Sequence, residues 1–197
     1  MPAWQPDYRC TSATHRRANC LHQRQWFSGN LPAGEITLND LLEMHPYNDI
    51  IETFDLKGAD LVAVLEQAVM NITLNAAGQV RRGDASGNFL QLSGVRFSAD
   101  PTREAGNRIL SVDVLNAAGD YEALEPDTVY SIIGNDYIRK GGEGHSVLAE
   151  KAFNLQAVDH EDYHLTMDYI EAFSPVSPAI EGRITWVNAE YEPYDRG

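Results

Sequence analysis

The sequence predicts an α+β fold, a single mixed-sheet domain with covering helices. Residues 58–72 carry apolar side chains at helical spacing on one face, which is typical of a helix packed against a sheet. Residues 89–115 contain short strand-like segments joined by tight turns, and further helical segments follow. Because hairpins mix irregularly with helices, the pattern favours an α+β domain over a regular βαβ array.

The first third of the chain divides into a leader, a short helix and a strand. Residues 1–30 show neither helical nor strand periodicity, and we interpret them as an atypical, poorly ordered leader. Thr37 is the expected N-cap of a helix through Met44, with Asp40 completing a capping box. Pro46 ends that helix. Residues 50–56 are rich in β-branched and aromatic side chains, which predicts a strand.

The remaining elements follow from the same reasoning. The stripe that predicts the long helix consists of Leu61, Val62, Leu65, Ala68, Val69 and Ile72. Strands are predicted at residues 89–92, 95–97, 109–115, 128–133 and 184–187, and helices at 146–152 and 160–173. The domain is expected to span residues 31–188, with an acidic, frayed tail at 189–197.

The net charge of the chain limits the kinds of partner that we expect. The net charge is −14, so the chain repels phosphate backbones, and we expect neither nucleic acid nor an anionic membrane as a partner. No apolar run approaches the roughly 20 residues of a membrane span, and residues 1–5 show no signal-peptide pattern. Residues 1–29 differ in composition, with four arginines, one acid and both cysteines.

Six segments together resemble the C-terminal domain of the 5′-nucleotidase family, which includes UDP-sugar hydrolases and 2′,3′-cyclic-nucleotide phosphodiesterases. They occur in the family's order, and the resemblance extends from Leu31 to Asn188. The segments are Leu-Pro-Ala-Gly-Glu-Ile-Thr (31–37), His-Pro-Tyr-Asn (45–48), Thr-Phe-Asp-Leu-Lys-Gly (53–58), Asn-Phe-Leu-Gln-Leu-Ser-Gly (88–94), Asn-Asp-Tyr (135–137) with Gly-Gly-Glu-Gly (141–144), and Ala-Ile-Glu-Gly-Arg-Ile (179–184).

The resemblance implies a nucleoside site. The family clamps the base between two aromatic rings, and the matching positions are Tyr47 and Tyr137. The family's ribose-binding acid falls on Glu143, in a loop where Gly141 and Gly142 let the backbone turn tightly. Most members have Asp at that position, and Glu is one methylene longer. Without the resemblance, the tyrosines would be ordinary turn residues and Glu143 a solvated loop acid.

Two polar residues beside the tyrosines have two open interpretations. Asn48 and Asp136 either hydrogen-bond the edge of the base or stabilise their turns.

The chain departs from the family in its first 30 residues. The family's glycine-rich, phosphate-holding Asn…Arg segment should precede Leu31. An ungapped alignment puts its arginine on Ser28, whereas a gapped one uses Asn19 and Arg24 without the glycines. One hypothesis is that residues 1–29 derive from a shifted reading frame.

The resemblance also implies chemistry elsewhere. The family hydrolyses phosphate esters with two metal ions in an N-terminal domain. We recognise no such domain in this chain, so no cofactor is expected in it and the chain alone is predicted to be inactive. A metallophosphoesterase domain is the implied partner. The family is mostly periplasmic or extracellular.

A rival motif is His160-Glu161-Asp162-Tyr163-His164, which fits the zinc-protease pattern H-E-x-x-H. On one helix the two histidines would share a face, with Asp168 as a third ligand. The alternative is an ordinary surface helix with favourable acids in its first turn.

Three functional hypotheses result. The first is the substrate-recognition domain of a 5′-nucleotidase-type enzyme. The second is a binding-only module or truncated relic. The third is a zinc hydrolase that uses His160 and His164. A metal assay separates the third from the others, and an encoded metallophosphoesterase domain would favour the first over the second.

Overall fold

The computed structural model describes residues 19–23, 31–47, 49–81, 87–177, 179 and 181–191, with the backbone alone described for residues 19–23, 159 and 160. Asn48, one of the predicted site residues, lies outside this set. Within it, no helix is long and apolar enough to cross a membrane.

The described part of the chain forms nine strands and five α-helices. In chain order they are β1 (Asn19–Gln23), α1 (Leu38–Met44), β2 (Ile50–Lys57), α2 (Gly58–Val69), β3 (Leu90–Ser93), β4 (Val95–Ala99), β5 (Ile109–Leu115), β6 (Tyr121–Ala123), β7 (Val129–Asn135), α3 (Asp136–Arg139), α4 (Ser146–Lys151), β8 (Phe153–Glu161), α5 (Asp162–Phe173) and β9 (Ile184–Trp186).

The strands form two sheets. The larger has the order β3-β1-β7-β2-β8 and the smaller the order β6-β5-β4-β9. Each sheet is mixed, because β1 runs parallel to β7 and β9 runs parallel to β4, whereas the other pairs are antiparallel. The predicted α+β class with mixed sheets and covering helices is confirmed.

The short helix α1 begins as its sequence predicts. Thr37 is its N-cap, and the side chains of Thr37 and Asp40 each accept a hydrogen bond from the other residue's backbone N–H. This reciprocal pair satisfies two donors that a helix start leaves open. Leu41 and Met44 are buried, so the helix presents one face to the interior.

Helix α2 supplies the centre of the core. Five of the six predicted stripe residues are buried, together with Val64, while Val62 packs at the edge of the core. The helix ends at Val69 and not at Ile72. The guanidinium Nη1 of Arg108 donates to the carbonyl oxygens of Val69, Met70 and Ile72, which satisfies these groups without another helical turn.

Strand β1 lies in the segment predicted to lack strand structure, so that prediction is wrong for Asn19–Gln23. The strand pairs with β3 on one side and β7 on the other, inside the larger sheet. Its sequence, Asn-Cys-Leu-His-Gln, has no β-branched residue and little alternation. Pairing on both sides forms the strand where local propensity does not.

Strand β8 overturns the helical interpretation of the H-E-x-x-H motif. His160 and Glu161 belong to β8, whereas His164 belongs to α5, which begins at Asp162. The two histidines therefore do not lie on one helix, which the zinc hypothesis had assumed. Pairing of β8 with β2 as far as Ile50–Glu161 keeps these residues extended.

Candidate functional site

The two candidate tyrosines flank neighbouring strands at the same end of the larger sheet. Strands β2 and β7 are antiparallel, with Ile51 opposite Asn135, so the start of β2 and the end of β7 meet. Tyr47 lies in the turn before β2, and Tyr137 lies in α3, directly after β7. The topology thus brings two residues that are 90 positions apart in the sequence to the same end of the larger sheet.

Two hydrogen bonds join the start of β2, with the residue before it, to the junction between β7 and α3. Asn135 Nδ2 donates to Asp49 Oδ2 at 2.7 Å, and the backbone N–H of Ile50 donates to Asp136 Oδ1 at 3.2 Å. Asn135 Oδ1 also accepts from the backbone N–H of Ile138 at 3.0 Å, which caps α3. The segments that carry the two tyrosines are therefore fixed to each other.

Both tyrosine side chains are exposed to solvent at this end of the sheet. Tyr47 is 62% exposed and Tyr137 is 42% exposed. The free energy falls when an aromatic ring moves from water into contact with a ligand. Two exposed rings at one end of the sheet can therefore bind a flat, apolar-faced ligand.

Tyr137 also contacts the glycine loop. Its hydroxyl donates to Glu143 Oε1 at 3.2 Å. A Cβ on Gly142 would lie 2.5 Å from the tyrosine ring, so the ring packs on a backbone that only glycine leaves free. Gly141 and Glu143 have positive φ angles of 97° and 53°, which makes the loop a tight left-handed turn. The structure therefore brings together Tyr137, Gly141, Gly142 and Glu143.

The Tyr137 hydroxyl is held in its protonated form. Partial burial, the hydrogen bond to Glu143 and the negative charges of Glu143 and Asp49 all raise the pKa of Tyr137 above its ordinary value. The hydroxyl remains a donor to Glu143 at neutral pH, and the Asp49 carboxylate is close enough to influence it.

His145 anchors the far side of the loop. Its side chain is fully buried, and its Nε2 lies 3.0 Å from the backbone oxygen of Asn88. Its backbone N–H donates to the carbonyl of Gly142 at 3.1 Å. Burial lowers the pKa of His145, so the imidazole is neutral at pH 7.

Asp136 has a turn-stabilising geometry. In addition to Ile50, its carboxylate binds Lys140 Nζ at 2.5 Å. Arg139, in the same helix, forms a two-bond ion pair with Glu52 of β2 at 2.6 and 3.1 Å. Of the two interpretations left open by the sequence, these contacts match the structural one for Asp136.

A buried polar cluster lies beside the turn that contains Tyr47. His45, at the C-cap of α1, places Nδ1 3.2 Å from Asp162 Oδ2 and Nε2 2.9 Å from Thr166 Oγ1. All three side chains are buried. The backbone N–H of Asp162 donates to the carbonyl of Asp49 at 3.2 Å. Helix α5 thus fixes both ends of the turn that contains Tyr47.

Sequence reasoning missed Asp49. The carboxyl group is half-buried, and burial, then the charges of Asp136 and Asp162, raise its pKa from 3.8 to about 6, against the opposing effects of Asn135 and Lys140. No pattern marks such a residue, because its charged neighbours come from α3 and α5. Its position two residues after Tyr47 was the only available signal.

We expect Asp49→Asn to stabilise the protein at neutral pH. A raised carboxyl pKa means that the folded state binds the proton more tightly, so stability falls as pH rises from about 4 to about 6. A shift of that size corresponds to about 3 kcal/mol at most, which partial exposure reduces to about 1 kcal/mol. Urea unfolding at pH 7.5 should show the gain, and at pH 4 the variant should match the wild type; equal stability at both pH values would contradict this account.

The described residues include no group of three or more His, Cys, Asp or Glu side chains that could hold a metal ion.

Comparison with known proteins gives consistent matches. The family model described as "5'-nucleotidase, C-terminal domain" matches residues 13–150, beginning inside the predicted leader. A 5'-nucleotidase-related protein from Glossina morsitans morsitans is 32% identical over 162 residues, which cover 81% of this chain and 27% of that relative. A trifunctional nucleotide phosphoesterase protein from Bacillus subtilis is 28% identical over 152 residues, 77% of this chain and 10% of that relative.

Among solved structures, the 5'-nucleotidase precursor from Thermus thermophilus superposes with a TM-score of 0.80 at 28% identity. The match covers 95% of this chain and 34% of that one. The chain therefore spans about a quarter to a third of the 5'-nucleotidase-type relatives from Glossina and Thermus. On the family match and the shared fold, the chain belongs to the family of 5'-nucleotidase C-terminal domains.

Proposed function

We propose that this domain recognises the nucleoside part of a nucleotide substrate. Tyr47 and Tyr137 stack on the two faces of the base, and Glu143 accepts hydrogen bonds from the ribose hydroxyls. In a complete protein, the domain presents the phosphate ester to a dimetal metallophosphoesterase domain. The substrates of that protein are nucleotide phosphate esters, a class that includes the substrates of UDP-sugar hydrolases and of 2′,3′-cyclic-nucleotide phosphodiesterases.

The observation that carries the proposal is the pair of hydrogen bonds that joins the residues after Tyr47 to the junction between β7 and α3. They hold two exposed rings at one edge of the sheet, with Glu143 in contact with one of them. Aromatic stacking contributes on the order of 1–3 kcal/mol per base and tolerates every base, because each has a π-face.

The surroundings of Glu143 support the proposed contact with the ribose. Its Oε1 already accepts one hydrogen bond from Tyr137, and a carboxylate accepts about four in total. Its positive φ is part of the tight turn that carries the carboxylate. A ribose therefore adds hydrogen bonds without displacing Tyr137.

We expect Tyr137→Ala and Tyr47→Ala each to weaken nucleoside binding by roughly tenfold to a hundredfold, since each removes one stacking face. Isothermal titration calorimetry of adenosine, uridine and AMP against the folded variants checks this. The wild type should bind weakly, at about millimolar Kd, because the phosphate-binding partner domain contributes no contacts here.

Tyr121→Ala is the matched control, because Tyr121 lies on β6 in the other sheet and stacks under Arg96. It should bind nucleosides like the wild type. If the folded wild type binds no nucleoside, or if all three tyrosine variants behave alike, the base clamp does not exist. Binding without any catalytic partner in the encoded protein would instead favour the binding-only module.

A further inference from the structure

The edge of the proposed clamp contains several polar side chains, and most of them are already occupied. Asn135 uses its oxygen to cap α3 and one amide hydrogen to bind Asp49. Asp136 binds Ile50 and Lys140. Among the described residues, the hydrogen-bond donor that contacts the Asp49 carboxylate is Asn135, and it binds Oδ2. Within the described part of the chain, the other oxygen of Asp49, Oδ1, accepts no hydrogen bond, so it has acceptor capacity for a ligand.

The position of Asp49 makes that capacity relevant to a ligand. Asp49 follows Tyr47 by two residues, and Asn135, to which it is bonded, precedes Tyr137 by two residues. The negative charge of Asp49 also influences the Tyr137 hydroxyl. The carboxylate therefore belongs to the hydrogen-bonded junction that joins the two tyrosine-bearing segments, beside the proposed base site.

We propose that Asp49 is the residue that selects the base, accepting N–H donors from the edge of a guanine held between Tyr47 and Tyr137. This inference rests on the proposed nucleoside site and adds the class of base to it. Asp49 is half-buried, so a donor that pairs with it replaces water at a partly desolvated carboxylate.

The chemistry of the bases supports this choice. Guanine presents two donors side by side on its Watson–Crick edge, the ring N1–H and the 2-amino group, and a carboxylate accepts both. Inosine lacks the amino donor. Adenine offers an amino donor beside a ring-nitrogen acceptor that repels a carboxylate, and uracil places its one N–H between two carbonyl oxygens. An ionised Asp49 therefore favours guanine over the other three.

Protonation of Asp49 should reverse part of this preference. The charged groups that face it are Asp136 on α3, Lys140 at the C-cap of α3 and Asp162 on α5, and Asp162 in turn faces His45. They leave the pKa of Asp49 at about 6. Below that pH the carboxyl group becomes a donor that suits the N1 acceptor of adenine, while its ability to accept two N–H bonds is lost.

The test is a calorimetric titration of guanosine, inosine, adenosine and uridine at pH 7.5 and pH 5.0. We expect the wild type to bind guanosine about tenfold more tightly than inosine or uridine at pH 7.5, and to lose most of that ratio at pH 5.0. Asp49→Asn should bind all four with similar affinity at both pH values, because the stacking rings remain.

Asn at position 49 can still accept from Asn135, so the turn is expected to keep its position. Asp120→Asn, in the distant β5–β6 turn, is the matched control and should retain the guanosine preference and its pH dependence. If the wild type binds all four nucleosides equally, or if Asp49→Asn keeps the preference, the role of Asp49 is refuted while the base clamp stands. If the folded wild type binds none of them, the clamp and this inference are refuted together.

Discussion

Replacing Gly142 by Ala should abolish most nucleoside binding while leaving the fold intact. The new Cβ would lie 2.5–2.7 Å from three atoms of the Tyr137 ring, which is closer than non-bonded carbons approach. Gly142 does not have a positive φ, so the alanine itself is not strained there. The ring is the group that must move, and we expect binding to weaken roughly tenfold to a hundredfold, as for loss of one stacking face.

A double-mutant cycle identifies the cause. In a Tyr137→Ala background the added methyl group meets no ring, so Gly142→Ala should then have almost no further effect on affinity. Calorimetric Kd values for the wild type, both single variants and the double variant complete the cycle. If the two losses are additive, the methyl group acts through something other than the Tyr137 ring, and this account of the loop is wrong.

Removing the buried carboxylate under the Tyr47 turn should produce the largest loss of stability. Asp162 is fully buried, faces His45 Nδ1 at 3.2 Å, and accepts from the backbone N–H of Tyr163 at 2.8 Å. Asp162→Ala removes the acceptor that faces the buried His45 ring and the part-buried N–H of Tyr163, which costs about 2–4 kcal/mol. A fall in the urea midpoint without a change in m-value would report it.

Asp168→Ala is the control on the same helix, since Asp168 is only partly buried. It should change the free energy of unfolding by less than about 0.5 kcal/mol. Equal destabilisation by the two variants would mean that helix α5 depends on its acids in general and not on the contact with His45.

Sequence reasoning succeeded where local rules and burial agree. The capping box of Thr37 and Asp40 and the apolar stripe of α2 both lie within one element, so short-range spacing contains the information. The strand β1 could not be found in this way, because Asn19–Gln23 owes its conformation to partners 67 to 113 residues away. Strand β8 ends in residues whose spacing also fits a helix, and only pairing with β2 decides between them.

The candidate site was likewise only partly predictable from the sequence. The resemblance named Tyr47, Tyr137 and Glu143, and the fold brings Tyr137 and Glu143 into direct contact. The contacts that hold the arrangement join the junction between β7 and α3 to residues 49 and 50 across 86 residues, which no spacing rule reports. Asp49 was missed for this reason, because burial and residues that are close in space but distant in sequence raise its pKa.

The most direct test of the central claim is a crystal structure of this chain grown with a saturating concentration of guanosine. The account predicts that the base lies between the rings of Tyr47 and Tyr137, with the ribose hydroxyls against Glu143. A nucleoside bound elsewhere, or an empty edge between two tyrosines that point apart at saturating ligand, would contradict it.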